Sequence, residues 1–160
     1  LRGTKTENAI IIFFRVAIGW IFLHAGLDQI LSPHFSIVPF LSHTKTFHDA
    51  FAVFTLPKVA PAVSFIVAWG QLLLGLSLIS GTFIRLSTPF GVVLMLLFYL
   101  AHMDWPYNES RFYVVIGPHL IYAAILFTLF VKHAGQILGL DAYLARSRWA
   151  ARSPALAFWF

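Results

Sequence analysis

Two ionisable residues four apart interrupt an otherwise apolar run: His24 and Asp28. On a helix that spacing puts both on one face, where the carboxylate can orient the imidazole. His119 is the sole ionisable group of another apolar run, and His102 with Asp104 closes a third. By helical rise, His24 and His119 each lie about 10 Å below the outer end of their runs. A histidine backed by a carboxylate suits hydrogen bonding to a quinone carbonyl and delivery of its proton on reduction. Two histidines at matched depth also suit axial ligation of a haem b iron. A metal ion would need further ligands at defined geometry. Hydrogen bonds between helices, or a water-filled vestibule, would satisfy the same residues without chemistry. The candidate quinone set is therefore His24, Asp28, His102 and His119. No metal site is read: His34, His43 and His48 are spaced by nine and five residues, which matches no ligand motif.

Arg15, Gln71 and Arg85 are the remaining polar residues singled out in apolar runs. A charge inside a membrane is costly and needs a partner or a route to the interface. By the helical rise Arg15 lies about 9 Å from the inner end of its run, and Gln71 about 20 Å below the outer end of its own. Both fall in the inner half, where a guanidinium facing an amide carbonyl would tie the two runs together. These three residues read as structural.

The elements that must position all of them are four hydrophobic segments, at about 9–31, 58–80, 83–103 and 112–131. Each has about 20 residues or more, enough to cross roughly 30 Å of hydrocarbon as a helix. Backbone groups in lipid must bond within the segment, which leaves the helix. Composition agrees. The 160 residues are 59% hydrophobic and 11% charged, with a mean hydropathy of +0.82, whereas soluble domains carry about 25% charged residues. The fold class is all-α integral membrane: a four-helix antiparallel transmembrane bundle with a long first outer loop and an amphipathic C-terminal segment. The first segment does not read as a cleavable signal peptide, because Arg15 interrupts it and no small-residue cleavage site follows. With no cysteine, the chain has no disulfide, thiolate metal site or cysteine nucleophile. It shows no phosphate loop, nucleophile elbow or zinc helix. Its basic residues are scattered, which argues against nucleic acid.

Residues 80–82 form a tight link that makes the second and third segments antiparallel neighbours. Residues 102–111 read as a short polar turn. Residues 32–57 are long, half apolar and rich in His and Phe, and are expected to lie on the membrane surface or fold over the bundle. Gly19, Gly26, Gly70, Gly75 and Gly91 read as close-packing positions between helices. Seven Lys and Arg residues fall on the side of the termini (Arg2, Lys5, Arg85, Lys132, Arg146, Arg148, Arg152) and three on the other (Lys45, Lys58, Arg111). That asymmetry puts both termini in the cytoplasm of a prokaryotic inner membrane. Residues 1–145 form the membrane domain and 146–160 a basic, aromatic tail. From Gly135 onward the chain suggests a surface helix followed by a membrane or partner contact through Trp149, Phe158 and Trp159.

The run Arg15-Val16-Ala17-Ile18-Gly19-Trp20-Ile21-Phe22-Leu23-His24-Ala25-Gly26-Leu27-Asp28-Gln29 resembles the first helix of the DoxX/DoxD family. Gln71 to Arg85, with Gly75, Leu78 and Gly81, is similar to the family's second-helix pattern, and Pro106-Tyr107-Asn108 leading to His119 and Tyr122 to a later one. The ending Ala134-Gly135-Gln136-Ile137-Leu138-Gly139-Leu140-Asp141 also resembles the family's C-terminal signature. The resemblance implies a small four-helix membrane protein, a quinone-linked redox complex with other subunits as partners, and the positions Arg15, His24, Asp28, Gln71, Arg85 and His119 as those to follow. DoxD itself is a membrane subunit of thiosulfate:quinone oxidoreductase. The chain departs from the pattern at Gln71, usually Glu, and at Gln29, often Lys. A glutamine neither neutralises Arg15 nor carries a proton. Two functions follow: a subunit contributing a quinone site in the outer half of the bundle, or a non-catalytic accessory subunit of a large respiratory or photosynthetic complex. A free-standing solute path has less support, since no inverted repeat or broken helix is seen.

Overall fold

The computed structural model describes residues 3–108 and 110–146. Three helices are long and apolar enough to cross a membrane: α1 (Lys5–Leu31), α4 (Ala60–Ser80) and α5 (Ile84–Ala101). Between α1 and α4 lie two short helices, α2 (Val38–Ser42) and α3 (His48–Ala52), and a 3-10 turn at Val53–Thr55. After α5 come strands β1 (Met103–Asp104), β2 (Tyr107–Asn108) and β3 (Ser110–Val114), then α6 (Pro118–Val131). A 3-10 turn (Ala134–Gln136) and a final short helix, α7 (Asp141–Leu144), complete the order.

The helices start where local chemistry allows. Thr4 and Glu7 form a reciprocal capping box at the start of α1, which satisfies two otherwise orphaned donors. That moves the start to Lys5, ahead of the expected residue 9. Gly81, with φ of 71°, closes α4 in the left-handed conformation that glycine takes without penalty. Pro118 opens α6, where a missing N–H costs nothing.

The fourth apolar segment differs from expectation. Residues 103–114 are not a simple turn running into a helix at 112. They form an antiparallel three-stranded meander in the order β1-β2-β3, with Met103 opposite Asn108 and Tyr107 opposite Val114. The helix then begins at Pro118, because a residue preceding proline is pushed out of the helical region. With 14 residues, α6 is about 21 Å long.

Packing is organised in two pairs, α1 on α4 and α5 on α6. Glycines set the first. A Cβ on Gly19 would lie 2.9 Å from the Leu78 Cβ; one on Gly26 would fall on the Leu72 backbone, and one on Gly75 on that of Leu23. The two backbones therefore touch, in an antiparallel register with Gly19 opposite Leu78 and Gly26 opposite Leu72. Gly91 of α5 instead makes room for side chains, where an added Cβ would meet Leu74 of α4 and Leu126 of α6. In lipid there is little hydrophobic gain in joining helices, so close backbone approach and dispersion hold them. The core runs through Ile18, Phe22, Leu74, Leu78, Leu94 and Leu126. Outward faces are large and apolar, with Phe13 67% and Trp20 62% exposed, as a lipid-facing surface requires.

Residues 32–57 fold over the bundle. Ile37, Leu41 and Phe51 join the core, and Ile37 N donates to Ser64 Oγ at 3.0 Å. Thr46 bonds Met103 O through its N–H and its hydroxyl. Lys45 pairs with Asp104 at 2.5 Å; both side chains are exposed, so the pair contributes at most about 1 kcal/mol. At the opposite end, residues 134–144 turn back against the bundle instead of forming the expected surface helix. Of the expected tail, 146–160, only Arg146 is described; Trp149, Phe158 and Trp159 lie outside the described residues.

Gly26→Ala and Gly75→Ala each drive a methyl group into the facing backbone. Thermal unfolding in detergent is expected to show each costing about 1–3 kcal/mol. Gly70→Ala meets only the end of the Phe90 ring and is expected to cost less.

Candidate functional site

The end of the bundle that holds the α4–α5 turn is closed by a polar latch. Arg15 is 3% exposed, so its guanidinium depends on protein partners. Nη1 donates to Ala134 O at 2.7 Å and Ile137 O at 3.0 Å, and Nη2 to Leu138 O at 3.3 Å. These carbonyls follow α6, where the chain leaves the α-helix: those of Ile137 and Leu138 lie beyond the 3-10 turn, and that of Ala134 also accepts from Ile137 N at 3.2 Å. Gly139 and Gly81 let the backbone come this close: an added Cβ on either would lie 2.9 Å from Arg15 Nη1.

Asp141 completes the latch. Its Oδ1 accepts from Phe83 N at 2.7 Å and its Oδ2 from Ile84 N at 3.1 Å. These are the first donors of α5, whose own N-cap position is Phe83, with φ of 54° and no side-chain cap. A carboxylate supplied from far along the chain thus takes the role of an N-cap, in a place the helix dipole favours. Burial pushes the Asp141 carboxyl above its ordinary range, while the two N–H groups and the nearby Arg15 charge hold it down. Leu140 N and Asp141 N donate in turn to Ser80 O and Gly81 O. Residues from α1, the 80–84 turn and the segment after α6 are all tied at one point.

The opposite end carries an aromatic cluster. His102, at the end of α5, and His119, in the first turn of α6, stack with centroids 5.0 Å apart and planes 17° apart. Phe40 of α2 meets His102 edge-on at 4.6 Å, and Phe98 meets His119 edge-on at 5.7 Å. Phe40 and Phe98 touch at 5.1 Å, and Tyr122 lies 6.4 Å from His119. His102 Nδ1 lies 3.1 Å from Phe98 O. A carbonyl only accepts, so the proton belongs on Nδ1 and the neutral ring presents Nε2 as acceptor. Nearby, buried Asn108 donates Nδ2–H to Tyr99 O at 2.8 Å, and Tyr99 OH donates to Val115 O at 2.6 Å. These bonds fix the start of α6 against α5, which places His119 on His102.

The candidate quinone set is only partly brought together. His102 and His119 meet, but His24 and Asp28 are exposed on α1, with no hydrogen bond or ring contact to that pair among the described residues. The register of α1 on α4 explains this. The glycine face, Gly19 and Gly26, is buried against α4, so residues on the other faces point outward. The same register separates Arg15 from Gln71. With Gly26 opposite Leu72, Arg15 stands just past the end of α4, about 18 Å along the axis from Gln71. Arg15 therefore bonds the C-terminal carbonyls and not the Gln71 amide. Gln71 is buried, and its Oε1 has no hydrogen-bond partner among the described residues. Arg85 is half-buried beside the donors that Asp141 caps. His43 and His48 bond their own local carbonyls, of Pro39 and Thr44. No cluster of three or more metal-ligating residues occurs among the described residues. Sequence reading missed the role of Asp141, whose signal was a lone carboxylate after Gly139 beyond the last apolar run, and the roles of Phe40 and Asn108.

These features define a small helical integral-membrane protein with polar closures at its two ends and apolar, lipid-contacting outer faces. The DoxX family model matches residues 10–103, and the chain belongs to that family. The match runs from α1 through α5 and includes Arg15, His24, Asp28, Gln71, Arg85 and His102; it stops short of His119 and Asp141. No curated protein and no solved structure matches the chain.

Arg15→Met leaves three carbonyls without their donor and removes the charge that balances Asp141. Thermal unfolding in detergent is expected to show a loss of about 3–5 kcal/mol, with faster tryptic cleavage at the exposed Lys132. Arg15→Lys is expected to restore only part, because one ammonium cannot reproduce the planar fork.

Proposed function

We propose that this chain is a subunit of a larger quinone-linked redox complex in a prokaryotic inner membrane, and not an enzyme by itself. The observation that carries the reading is the outward position of His24 and Asp28, one helical turn apart among the exposed Trp20, Leu27 and Leu31 of α1. Ionisable residues within membrane spans face protein or water, not lipid. A neighbouring subunit on this face of α1 supplies that cover. Membership of the DoxX family supports the redox-linked setting. The quinone contribution narrows to His102 and His119, whose imidazoles would bond the quinone oxygens and hold the proton that reduction requires.

In this reading α6 is a fourth, short span, helped across by local thinning of the bilayer. Both termini lie in the cytoplasm, and the cap formed by residues 32–57 faces outward, as the excess of Lys and Arg on the opposite side favours.

Extraction from the native membrane in mild detergent, followed by native electrophoresis and absorbance spectroscopy, tests the assembly. The chain is expected in a large species carrying redox centres, and His24→Leu with Asp28→Leu is expected to release it with its thermal stability retained. A wild-type chain that runs alone from its native membrane sinks the reading. In the intact complex His119→Phe is expected to lower quinone turnover at least tenfold without loss of assembly; unchanged turnover removes the quinone role and leaves an accessory subunit.

Topology has its own check. Because the chain has no cysteine, each introduced one is unique. Ser42→Cys is expected to react with an impermeant maleimide from outside, and Ser80→Cys only after the membrane is opened. The reverse pattern overturns the orientation.

A further inference from the structure

An open cavity lies away from the histidine pair. It is bounded by α1, α4 and the cap, with no lining residue from α5 or α6, and has a volume of about 630 Å³. That lies within the roughly 300–1,000 Å³ range of small-molecule sites. Thr55 and Ser36 stand at its rim, and Phe35, Phe65 and Trp69 form its walls. The register that places Gly26 opposite Leu72 and Ala68 puts Gln29, one turn further out, at the base.

Three properties specify what fits. None of the lining residues is charged, so the occupant is neutral, since an unpaired charge would be desolvated without compensation. The walls are aromatic and aliphatic, which calls for an apolar body. Gln29 is the exception, an amide in a half-buried position whose Oε1 is removed from solvent and has no hydrogen-bond partner among the described residues. An unmet acceptor in such a place is costly, and a ligand that bonds it recovers that cost. Because the amide can turn about its last bond, it can offer an N–H to a carbonyl or an oxygen to a hydroxyl. Ser64, also on the wall, is already committed: its Oγ donates to Ala60 O and accepts from Ile37 N. Ser36 and Thr55 also have local backbone partners, and Gln29 is the lining residue with a buried polar atom left unmet among the described residues.

We propose that this cavity binds a neutral amphiphile with an oxygen-bearing head, its carbonyl or hydroxyl on the Gln29 amide and its apolar body against Phe35, Phe65 and Trp69. Two membrane constituents have this chemistry: a quinone or quinol, and a neutral lipid such as a diacylglycerol. The site is independent of the His102–His119 pair, so its failure and that of the functional reading are distinguishable.

The test is native mass spectrometry of the purified full chain in detergent, with decylbenzoquinone, dioleoylglycerol and oxygen-free decylbenzene as probes. A 1:1 adduct with at least one oxygenated probe is expected, weakened about three- to tenfold by Gln29→Met, the range that loss of one neutral hydrogen bond gives. Ser36→Trp, at the exposed rim and clear of the α1–α4 contact, is expected to block binding while the unfolding temperature is retained. His119→Phe is expected to leave the dioleoylglycerol adduct unchanged, and with decylbenzoquinone to leave the part of the binding that Gln29→Met weakens. Which oxygenated probe binds identifies the source of the ligand. The proposal is overturned if neither gives an adduct, if decylbenzene binds as well as they do, or if Gln29→Met binds like the wild type.

Discussion

Everything at the α4–α5 turn end of this protein depends on one buried guanidinium. Arg15 sits in a helix that otherwise presents only apolar groups at that depth, so it cannot be left to lipid. Its three acceptors, the carbonyls of Ala134, Ile137 and Leu138, are within reach because the chain leaves the α-helix after α6 for a 3-10 turn and an irregular link. A regular continuation would have spent those oxygens on its own backbone. The irregular segment and the buried charge thus require each other. Asp141 extends the same arrangement to α5 by capping its first N–H groups, so that one cluster joins the first helix, the α4–α5 turn and the segment after α6.

A second constraint works through absent side chains. Gly19, Gly26 and Gly75 let α1 and α4 meet backbone to backbone, and a contact so close permits one register. That register decides which residues of α1 look inward. It turns His24 and Asp28 away from the histidines of α5 and α6, and it sets Arg15 and Gln71 at different depths. The chemistry available inside a single chain is therefore smaller than the inventory of polar residues suggests, and part of that inventory is presented to the surroundings.

Much of this was legible in the sequence. Length and hydropathy identify α1, α4 and α5 with ends within four residues of those observed, because a span must satisfy its own backbone and has few ways to do so. The glycines announced helix contacts. What could not be read was rotation about each helix axis. The expected matched depth fails too: His24 lies seven residues from the end of α1, whereas His119 is the second residue of α6, because that helix starts at Pro118 and not at 112. The fourth segment misled for a related reason: residues 112–117 are apolar enough for lipid but pair as a strand and an irregular link ahead of Pro118. The Asp141 cap was out of reach because its partners are 57 and 58 residues away, and no local pattern records such a pairing.

The Asp141 cap has a bearing on how the protein is made. A helix cap normally comes from the residue just before the helix and emerges with it. Here α5 emerges with its first donors open, and the carboxylate that satisfies them follows only after α6 has been synthesised. Arg15 waits longer still, since it leaves the ribosome before all the other spans and its acceptors come after the last. The spans are therefore delivered with one end of the bundle unsealed, and the final few residues of the latch convert a set of inserted helices into one closed body. A chain halted before Asp141 would carry every apolar span and still lack the closure that binds them.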